Sequence, residues 1–590
     1  MRIQITRSKN AESFYVIRSV YDKGKRTTVV YEKLGTLEQV KERANGQDPY
    51  EWARAYAAEF TEQEKRQADE NVTLSLSTRQ GSGTVSRKCY NAGYLFFQKL
   101  FYQLGWNKLS SGIKADTDSD LPLNAILQML LYTRILYPRS KKASWELSRD
   151  FLPAAREEKV ELHQVYRALD LIAEKSDLIQ EMVYKSTEKY CKRNTEVLYY
   201  DCTNFFFEIE KEDDFRRYGH SKENRPNPIV QMGMFIDGDG IPLAVTVFPG
   251  NESEQNSLRP LEKKILKDFE LSKFIVCTDS GLASKDNRLF NSRHERRYVV
   301  TQSLKTLSEP VQRWALERIG WLREGDKERR LYDLDQLDET AHRDSLFYKE
   351  QIVTIAGLSQ RLVVTYSLKS RDYQRSVRQR QIDRAVKTVN EKPQEMDHTR
   401  QNDYRRLVQM SFLTDEGEVS THKQLSLDTD TIAREERFDG FYGVCTNLYA
   451  PSEEHRDGTD VSEILRINHM RWQIEDCFHD MKSEFKSRPV YLSRENRIRA
   501  HFLLCCLSLV LLKYLEKAVK DAGCTDFTTE SLLSDLRAMS MVRLKGFGYI
   551  PAFNTSPVLD CLQSHFNIPL NAEIIPERSL KKFVSLSKEK

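Results

Sequence analysis

The chain has 590 residues, of which 39% are hydrophobic and 30% are charged. With typical domains of about 100–200 residues, this length predicts about three to five folded domains. The hydrophobic fraction is large enough to build cores and excludes a wholly disordered chain. The 91 basic and 87 acidic residues leave a net charge of +4, which does not by itself indicate nucleic-acid binding.

Several kinds of protein are disfavoured by what the sequence lacks. The first residues have no apolar segment of the signal-peptide kind, and no apolar run reaches the roughly 18–20 residues that span a bilayer. The ten cysteines are scattered without zinc spacing, and no phosphate-binding GxxxxGK[ST] loop is present. We therefore expect a cytoplasmic protein with no membrane partner and no nucleotide-driven activity.

The N-terminal residues 1–85 begin with alternating apolar and polar side chains, as strands do. Ser13–Tyr21 and Arg26–Tyr31 flank Asp22–Lys25, a sequence typical of a hairpin turn. The polar residues that follow favour helix, and residues 77–86 are a candidate linker. We therefore predict an N-terminal hairpin followed by an arm.

Residues 86–194 have helical periodicity. Leu121–Tyr137 is strongly apolar at helical spacing and is followed by the basic residues Arg139, Lys141 and Lys142. A compact helical module beside a basic turn is typical of helix-turn-helix proteins, so we predict that this region binds DNA. An ordinary helical bundle fits the same pattern, and the sequence does not show which helix would contact DNA.

At residue 195 the pattern changes from helices to short buried strands. We predict a hairpin at Asp237–Gly240, because this is a strong turn signal, and a helix over Ser257–Phe269. The predicted strands are Val197–Asp201, Ile229–Ile236, Ile241–Phe248, Lys273–Thr278 and Arg297–Val300. Strands that alternate with helices in this way predict a mixed α/β domain.

Two of the predicted strands lead directly into a carboxylate. Asp201 closes the first strand, and Asp279 follows the strand that ends at Thr278. Buried carboxylates are costly unless they are paired or bound to a cation, and two side by side repel each other. Hard oxygen ligands suit Mg²⁺ or Mn²⁺, so the pair is a candidate metal site. The alternative is that each aspartate only caps a turn or the next helix.

Residues 301–455 combine strand signals with a basic stretch between Lys369 and Lys387. This stretch has seven basic and two acidic residues, and patches of this kind are what a phosphate backbone requires. A solvated helix face explains the same charge run equally well. The candidate DNA contacts are Lys369, Arg375, Arg378 and Arg380, and the strand signals are Phe347–Ile355, Arg361–Tyr366 and Phe441–Thr446.

A long helix is predicted from Asp460, with Glu463 completing a capping box at its start. The helix contains the spacing R-x3-E-x6-K, formed by Arg471, Glu475 and Lys482. Residues at these intervals share one helix face, at the edge of the apolar stripe. A simple i, i+4 salt bridge beside a solvated lysine is the alternative interpretation.

Together these motifs resemble those of the insertion-sequence DDE transposases. Residues 201–208 and 217–225 are similar to the region of the first catalytic aspartate, 241–251 to the strand after it, and 277–281 to the region of the second. The last helix resembles the Y-x2-R-x3-E-x6-K signature of one large group of these enzymes. Asn468 stands where that signature has tyrosine, which leaves open whether this protein uses the DNA hairpin intermediate of that group.

The resemblance implies an RNase H-like catalytic core of α/β class with a mostly β insertion between the second aspartate and the glutamate. The second gap is long enough for a separate insertion. The implied regions are an N-terminal hairpin and arm over 1–85, a helical DNA-binding region over 86–194, the catalytic core over 195–300 plus 456–500, a basic insertion domain over 301–455, and a helical C-terminal region over 501–590.

The resemblance also implies the site and its reaction. Asp201, Asp279 and Glu475 would hold two Mg²⁺ ions, with Mn²⁺ as a substitute. The reaction would be DNA strand cleavage at terminal inverted repeats, followed by strand transfer into target DNA without a covalent protein–DNA intermediate. Arg471 and Lys482 would contact phosphates near the cleaved end.

Trp472 is a further candidate DNA contact, because aromatic side chains stack on bases that leave the duplex. Its direction, about 100° around the helix from Arg471, favours core packing instead. The implied partners are the transposon ends, target DNA and a second copy of the chain, in the nucleoid of a bacterial or archaeal cell. An RNase H-like nuclease that does not join strands, and a non-catalytic DNA-binding derivative, remain as alternatives.

Overall fold

The structure, a computed structural model, describes the chain apart from residues 9, 10, 23, 24, 71–84, 116, 118, 153–158, 392–402, 414–418, 454, 457, 545, 546 and 590. Most of the candidate linker at 77–86 and the centre of the N-terminal hairpin turn lie outside the described residues. The chain divides into two compact units. The first comprises Met1–Ala92, Ala538–Thr555 and Ile568–Ser585, and the second comprises Gly93–Arg537, Ser556–Asn567 and Leu586–Lys590.

Strands and helices occur throughout the described residues. The strands are β1 (Arg2–Arg7), β2 (Glu12–Asp22), β3 (Lys25–Thr36), β4 (Val85–Asn91), β5 (Val197–Phe206), β6 (Ile229–Ile236), β7 (Pro242–Pro249), β8 (Ile275–Thr278), β9 (Arg297–Gln302), β10 (Ile319–Arg323), β11 (Tyr332–Asp333), β12 (Phe347–Ile355), β13 (Leu358–Tyr366), β14 (Val408–Leu413), β15 (Val419–Leu427), β16 (Phe441–Thr446), β17 (Ser540–Leu544), β18 (Gly548–Pro551) and β19 (Ile575–Pro576). The α-helices are α1 (Leu37–Ala44), α2 (Pro49–Glu70), α3 (Tyr94–Gln103), α4 (Leu109–Lys114), α5 (Leu123–Leu136), α6 (Lys141–Leu147), α7 (Leu162–Glu174), α8 (Ser176–Tyr190), α9 (Glu254–Asp268), α10 (Lys285–Phe290), α11 (Glu309–Leu316), α12 (Leu368–Glu391), α13 (Thr429–Glu436), α14 (Val461–His469), α15 (Trp472–Ser483), α16 (Glu495–Asp521), α17 (Thr529–Ala538), α18 (Pro557–Phe566) and α19 (Glu577–Leu586).

The first unit contains two antiparallel sheets. The predicted N-terminal hairpin is confirmed as β2 and β3, and β1 pairs with the other edge of β2. The apolar face of this sheet packs on α1 and α2, with Phe14, Val16 and Val40 fully buried between them. The second sheet has the order β19-β18-β17-β4.

The C-terminal region differs from its prediction. A wholly helical region over 501–590 is wrong, because β17, β18 and β19 alternate there with the helices. These strands have five, four and two residues. Alternation over so few residues does not stand out from the helical periodicity around it.

The second unit is built around one ten-stranded sheet with the order β11-β10-β12-β13-β16-β9-β8-β5-β6-β7. β8 pairs in parallel with both β5 and β9, and β6 pairs with β5 and β7 in antiparallel fashion. The mixed α/β class is therefore confirmed. On one face of β5, Leu198, Tyr200 and Cys202 are buried against α9, which leaves the alternate residues for the other face.

The strands predicted within residues 301–455 are present as β12, β13 and β16. They do not form a sheet of their own. β16 pairs with β9, and β13 and β12 follow it, so this segment extends the large sheet beyond β9. The sequence identifies each strand, but it cannot show that the edge of β9 is free to accept β16.

Helix α16 forms the centre of the helical layer of the second unit and packs against α3, α5, α7, α15 and α18. Its length and composition are sufficient to cross a membrane, but 89% of its most apolar 18-residue window is buried within the protein. Burial of this kind is typical of a core helix. The helical periodicity predicted within residues 86–194 is confirmed between residues 121 and 190, where the structure has the helices α5 to α8.

The long helix predicted from Asp460 is interrupted. It forms as α14 and α15, which are separated at Met470 and Arg471. The predicted capping box is absent, because the Glu463 carboxylate pairs with Arg466 at 2.6 Å instead. Arg471 therefore stands at the N-terminus of a new helix rather than inside a continuous one.

Candidate active site

Asp201 lies in the middle of β5, not at the end of a strand as predicted. The strand continues to Phe206 because residues 202–206 pair with β6. The carboxylate accepts a hydrogen bond from the backbone N–H of Cys202 at 2.7 Å. Burial raises the pKa of Asp201 to about 6, against the opposing charge of Lys222 and with a further increase from Asp279.

Asp279 occupies the matching position on the neighbouring strand. The parallel pairing of β5 with β8 ends with Tyr199 opposite Cys277, and each aspartate comes two residues later. Asp279 follows β8 directly and accepts a hydrogen bond from the N–H of Leu282 at 3.1 Å. The turn cap that was the alternative interpretation is thus present, and the Asp279 carboxylate is also close enough to raise the pKa of Asp201.

Lys222 is the cation with the strongest influence on Asp201, and the sequence predicted no role for it. Its ammonium donates to the backbone carbonyl of Cys202 and lies 3.3 Å from Glu254 at the start of α9. Partial burial alone would lower the pKa of Lys222, but Asp201 and Glu254 outweigh it, and the pKa is raised. Lys222 lies in the 217–225 motif, which was the available signal.

The loop that carries Lys222 is attached to β5 by one side chain. The Asn204 amide donates to the carbonyl of His220 at 3.0 Å and accepts from the N–H of Lys222 at 3.3 Å. Asn204 is three residues from Asp201 on the same strand. The loop and the carboxylate therefore share one rigid support.

Glu475 lies on the first turn of α15, and its carboxylate is 4.0 Å from the Arg471 guanidinium. Its side chain is 63% exposed, whereas that of Arg471 is 23% exposed. The salt bridge that was the alternative interpretation is thus present. The structure does not bring Glu475 into one compact group of ligand atoms with Asp201 and Asp279.

Lys482 lies at the other end of α15 and is mostly covered. Its ammonium is 3.6 Å from Glu223 and lies over the ring of Phe205, 5.5 Å from the ring centre. Burial lowers the pKa of Lys482, and Glu223 opposes this change. Asn468, at the position of the signature tyrosine, accepts a hydrogen bond from Thr301 on β9 at 3.2 Å.

Trp472 is half exposed, with 50% of its surface accessible. The core packing that its helical direction favours does not occur, because the break between α14 and α15 places Trp472 at the first position of a new helix. A large aromatic side chain is therefore available at the protein surface beside Arg471. Its contact with DNA stays a prediction.

The basic stretch 369–387 forms α12, and its four candidate residues have different environments. Arg378 is buried and makes two hydrogen bonds of 2.6 Å to Asp439, so its charge is used inside the protein. The other three, Lys369, Arg375 and Arg380, are exposed. Arg375 is 3.5 Å from Asp439 and Lys369 is 3.5 Å from Asp344. Of the four candidates, these three remain at the surface for the predicted DNA contacts.

Among the described residues, one group of three side chains has spacing that could hold a metal ion, and it was not predicted. Asp476, His479 and Asp480 have ligand atoms within 4.8 Å of one another. The group already has a cation, since the Lys513 ammonium lies 2.9 Å from Asp480 and 3.3 Å from Asp476. We interpret it as an ion-pair network between α15 and α16.

The Asp201–Asp279 pair fits a divalent cation better. Neither aspartate has an ion-pair partner within 4.0 Å among the residues that the structure describes. Burial and the Asp279 charge both oppose ionisation of Asp201, and a bound cation would remove that opposition. Carboxylate oxygens are the ligands that Mg²⁺ prefers.

Comparisons with known proteins show the family of the chain. A family model described as transposase DDE domain matches residues 204–511, which is more than half of the chain. No curated protein has a sequence that matches the chain. Among solved structures, a piggyBac transposase synaptic complex with hairpin DNA is similar over 86% of this chain and 88% of its own, with 9% identity and a TM-score of 0.34.

A Mos1 transposase paired-end complex with the left transposon end covers 44% of this chain and 71% of its own, with 11% identity and a TM-score of 0.13. Scores this low do not establish a shared fold. The family match is independent of these structural similarities. It begins within β5 at residue 204, after Asp201, and covers Asp279, both helices of the signature and most of α16. The chain belongs to the transposase DDE domain family.

Proposed function

We propose that this protein cuts and joins DNA strands as the transposase of an insertion sequence, with Asp201, Asp279 and Glu475 as its catalytic carboxylates. The observation that supports this proposal most strongly is the placement of Asp201 and Asp279 at matching positions along two parallel strands, β5 and β8. The strand order β7-β6-β5-β8-β9, with only the last two pairings parallel, supports the assignment of this part of the sheet as an RNase H-like core.

The carboxylates have the chemistry of a magnesium site. Asp201 and Asp279 would hold a divalent cation through their carboxylate oxygens, and Glu475 would be the third ligand. The Glu475 side chain is mostly exposed and can rotate without unpacking the core. When bound, two divalent ions supply Lewis-acid polarisation at phosphorus and activation of the attacking oxygen.

The protein's own part of the reaction is to position the DNA, and no covalent protein–DNA intermediate is needed. Arg471, directly before α15, and Lys482, on α15, bind backbone phosphates. The Arg471 charge is close enough to Asp201 to oppose the rise in its pKa. Water attacks phosphorus in line with the leaving 3′-oxygen, and the freed 3′-hydroxyl then attacks a phosphodiester of target DNA. Each step forms one P–O bond and breaks one, so no side-chain nucleophile is needed.

The test needs the natural substrate. We would sequence the DNA that flanks the gene, identify its terminal inverted repeats, and assay Mg²⁺-dependent cleavage and strand transfer on labelled repeat ends. Asp201→Asn, Asp279→Asn and Glu475→Gln should each reduce cleavage by at least about a thousandfold, since each removes a metal ligand. The control is Asp476→Asn, which alters an aspartate adjacent to Glu475 that pairs with Lys513.

Three outcomes would change the proposal. Cleavage at the wild-type rate by one variant would remove that residue from the site. Cleavage without strand-transfer products would favour the alternative of a metal-dependent nuclease, and DNA binding without cleavage would favour a non-catalytic derivative. We further propose that two copies act together on two transposon ends, and the mass of the protein–DNA complex tests this number of copies. We also propose that the protein acts in the cytoplasm.

A further inference from the structure

We propose that Arg225, Lys482 and Arg488 form a binding site for a DNA phosphate, and that Glu223 occupies this site in the free protein. We call the three cationic side chains the phosphate site. The proposal rests on the proposed transposase function, because it requires a DNA strand that passes Asp201. Beyond that function, we propose that a carboxylate of the free enzyme occupies the position that a DNA phosphate takes in the complex.

The contacts of Glu223 are those that a phosphate would make. One carboxylate oxygen is 3.6 Å from the Lys482 ammonium, and the other contacts the Arg488 guanidinium directly. A guanidinium presents the same fork of donors to a carboxylate as to a phosphate. The donors that DNA would need are therefore oriented already, and an anion of the protein uses them.

Aromatic rings of β5 support the cations. The guanidinium of Arg488 lies 5.0 Å from the centre of the Phe206 ring, and that of Arg225 lies 5.1 Å from the same centre. Lys482 lies over the neighbouring Phe205. Cation–π contacts of this kind hold charged heads in place without neutralising them. Two positive charges, those of Lys482 and Arg488, thus contact one carboxylate, and Arg225 lies over the same ring as Arg488. A net positive charge therefore remains when Glu223 is bound.

The phosphate site lies against the end of β5, the strand that carries Asp201, because its cations lie over the rings of Phe205 and Phe206. Phe205 is four residues beyond Asp201, about 13 Å along the strand, and faces the same side of the sheet. One strand of DNA carries a phosphate about every 3.4 Å along the helix axis. A strand that reacts at Asp201 would therefore place a phosphate about four nucleotides away near Lys482.

Glu223 can leave the site at a modest cost. The side chains of Glu223, Lys482 and Arg488 are each between 21% and 27% exposed, so none of them belongs to the core. Glu223 lies in the loop that Asn204 attaches to β5 through Lys222 and His220, and its own side chain is outside that attachment. Its carboxylate can rotate away while Lys222 stays beside Asp201.

The experiment measures the affinity of the full-length protein for a short fluorescent DNA duplex of arbitrary sequence, by anisotropy, in EDTA. EDTA separates binding from catalysis. Titrations between about 50 and 200 mM salt give the salt dependence of binding. We expect Glu223→Gln to raise the affinity about fivefold at 100 mM salt, because DNA no longer has to displace a carboxylate.

The matched control is Glu212→Gln, which removes the same charge from the preceding stretch of chain. Glu212 pairs with Arg217 at 3.3 Å and accepts from the N–H of Tyr218 at 3.0 Å, which a glutamine oxygen can still do. We expect Glu212→Gln to change the affinity less than twofold, the size of a general charge effect.

The second comparison repeats Glu223→Gln in a Lys482→Gln, Arg488→Gln background. The fivefold gain should vanish there, because the site that Glu223 occupies no longer exists, and the background itself should reduce the salt slope by about 1.8. Glu223→Asp retains the charge on a shorter side chain and should give a smaller gain than Glu223→Gln.

Each result decides between the two proposals. A gain from Glu223→Gln that equals that of Glu212→Gln, or that persists without Lys482 and Arg488, overturns the phosphate site and leaves the transposase proposal intact. If the wild-type protein binds no DNA even at the lowest salt, the proposed function fails, and the phosphate site fails with it.

Discussion

Two groups of carboxylates in the second unit carry their charge in different ways. Asp476, Asp480 and Glu516 surround the ammonium of Lys513 at distances of 3.3, 2.9 and 3.2 Å. Asp201 and Asp279 lie side by side without an ion-pair partner of their own among the described residues. The first group is neutralised by a lysine that contacts all three carboxylates, and we call it the complete group. The second, the incomplete group, is influenced by Lys222 without a direct ion pair among the described residues.

The difference separates structural from functional use of the same residue type. Lys513 contributes to packing between α15 and α16, and although burial would lower its pKa, Glu516 and Asp480 outweigh that effect and the pKa is raised. At Asp201 burial dominates instead and makes the carboxylate harder to ionise. Spacing alone would have selected the wrong group, since among the described residues Asp476 and Asp480, together with His479, are the three potential ligands that lie within 4.8 Å of one another. The presence or absence of an internal cation is the better criterion.

The largest expected effect is on the complete group. Lys513→Met should lower the free energy of unfolding by about 3–5 kcal/mol, because it leaves Asp480 buried without its partner. Urea denaturation followed by circular dichroism measures this change. The control is Lys517→Met, one turn further along α16, whose 3.8 Å pair with Asp521 is exposed and should contribute less than about 0.5 kcal/mol. Equal effects of the two variants would contradict the comparison.

The incomplete group should respond with the opposite sign. The pKa of Asp201 is about 6 in the folded protein, whereas an unperturbed aspartate has a pKa of 3.8, so the folded state resists ionisation. The resulting penalty is absent below about pH 4, grows as the pH rises, and is complete above about pH 6. In EDTA at pH 8, Asp201→Asn should therefore stabilise the protein by up to about 3 kcal/mol.

The measurement is the pH dependence of the difference in unfolding free energy between wild type and Asp201→Asn. The difference should decline to near zero at about pH 4, where the wild-type carboxyl is largely protonated in the folded state and ionisation of the unfolded chain is only beginning. Destabilisation by Asp201→Asn at pH 8 would show that the ionised carboxylate already has a sufficient partner, and the comparison would fail.

Magnesium should distinguish the two groups directly. At a concentration about a hundred times its dissociation constant, Mg²⁺ should stabilise the wild-type protein by about 2.7 kcal/mol. Asp201→Asn and Asp279→Asn should lose this stabilisation, and Asp476→Asn should retain it. A thermal denaturation series with and without Mg²⁺ measures it. The reverse pattern would place the ion at Asp476 and Asp480.

The sequence was sufficient to predict the parts of the site that depend on local patterns. Short apolar runs predict β6, β8 and β9, and the order of elements places Asp201 and Asp279 on neighbouring strands. The extension of β5 beyond Asp201 escaped prediction, because it depends on pairing with β6. The strand itself was identifiable, but its length was set by its partner.

Features that depend on distant residues were less predictable. Arg378 was indistinguishable from Arg380 in the charge run, since its partner Asp439 is 61 residues away. The break at Arg471 and the exposure of Trp472 were not predicted either, because the apolar stripe keeps its spacing on both sides and is interrupted only where Arg471 takes one position. Lys222 and Glu223 lie in the 217–225 motif. Their roles depend on contacts with residues far along the chain, namely Cys202, Lys482 and Arg488.

The smallest expected effect concerns α12, where an exposed and a buried arginine are only two residues apart. Arg380→Gln should leave the unfolding free energy unchanged within about 0.5 kcal/mol and reduce the salt slope of DNA binding by about 0.9, the loss of one phosphate contact. Arg378→Gln should instead cost about 3 kcal/mol of stability, because the buried Asp439 loses its two 2.6 Å hydrogen bonds and keeps the longer 3.5 Å pair with Arg375. It should leave the salt slope unchanged. An unchanged slope for Arg380→Gln would mean that this face of α12 is only solvated, and that the DNA contacts lie nearer to Arg471 and Lys482.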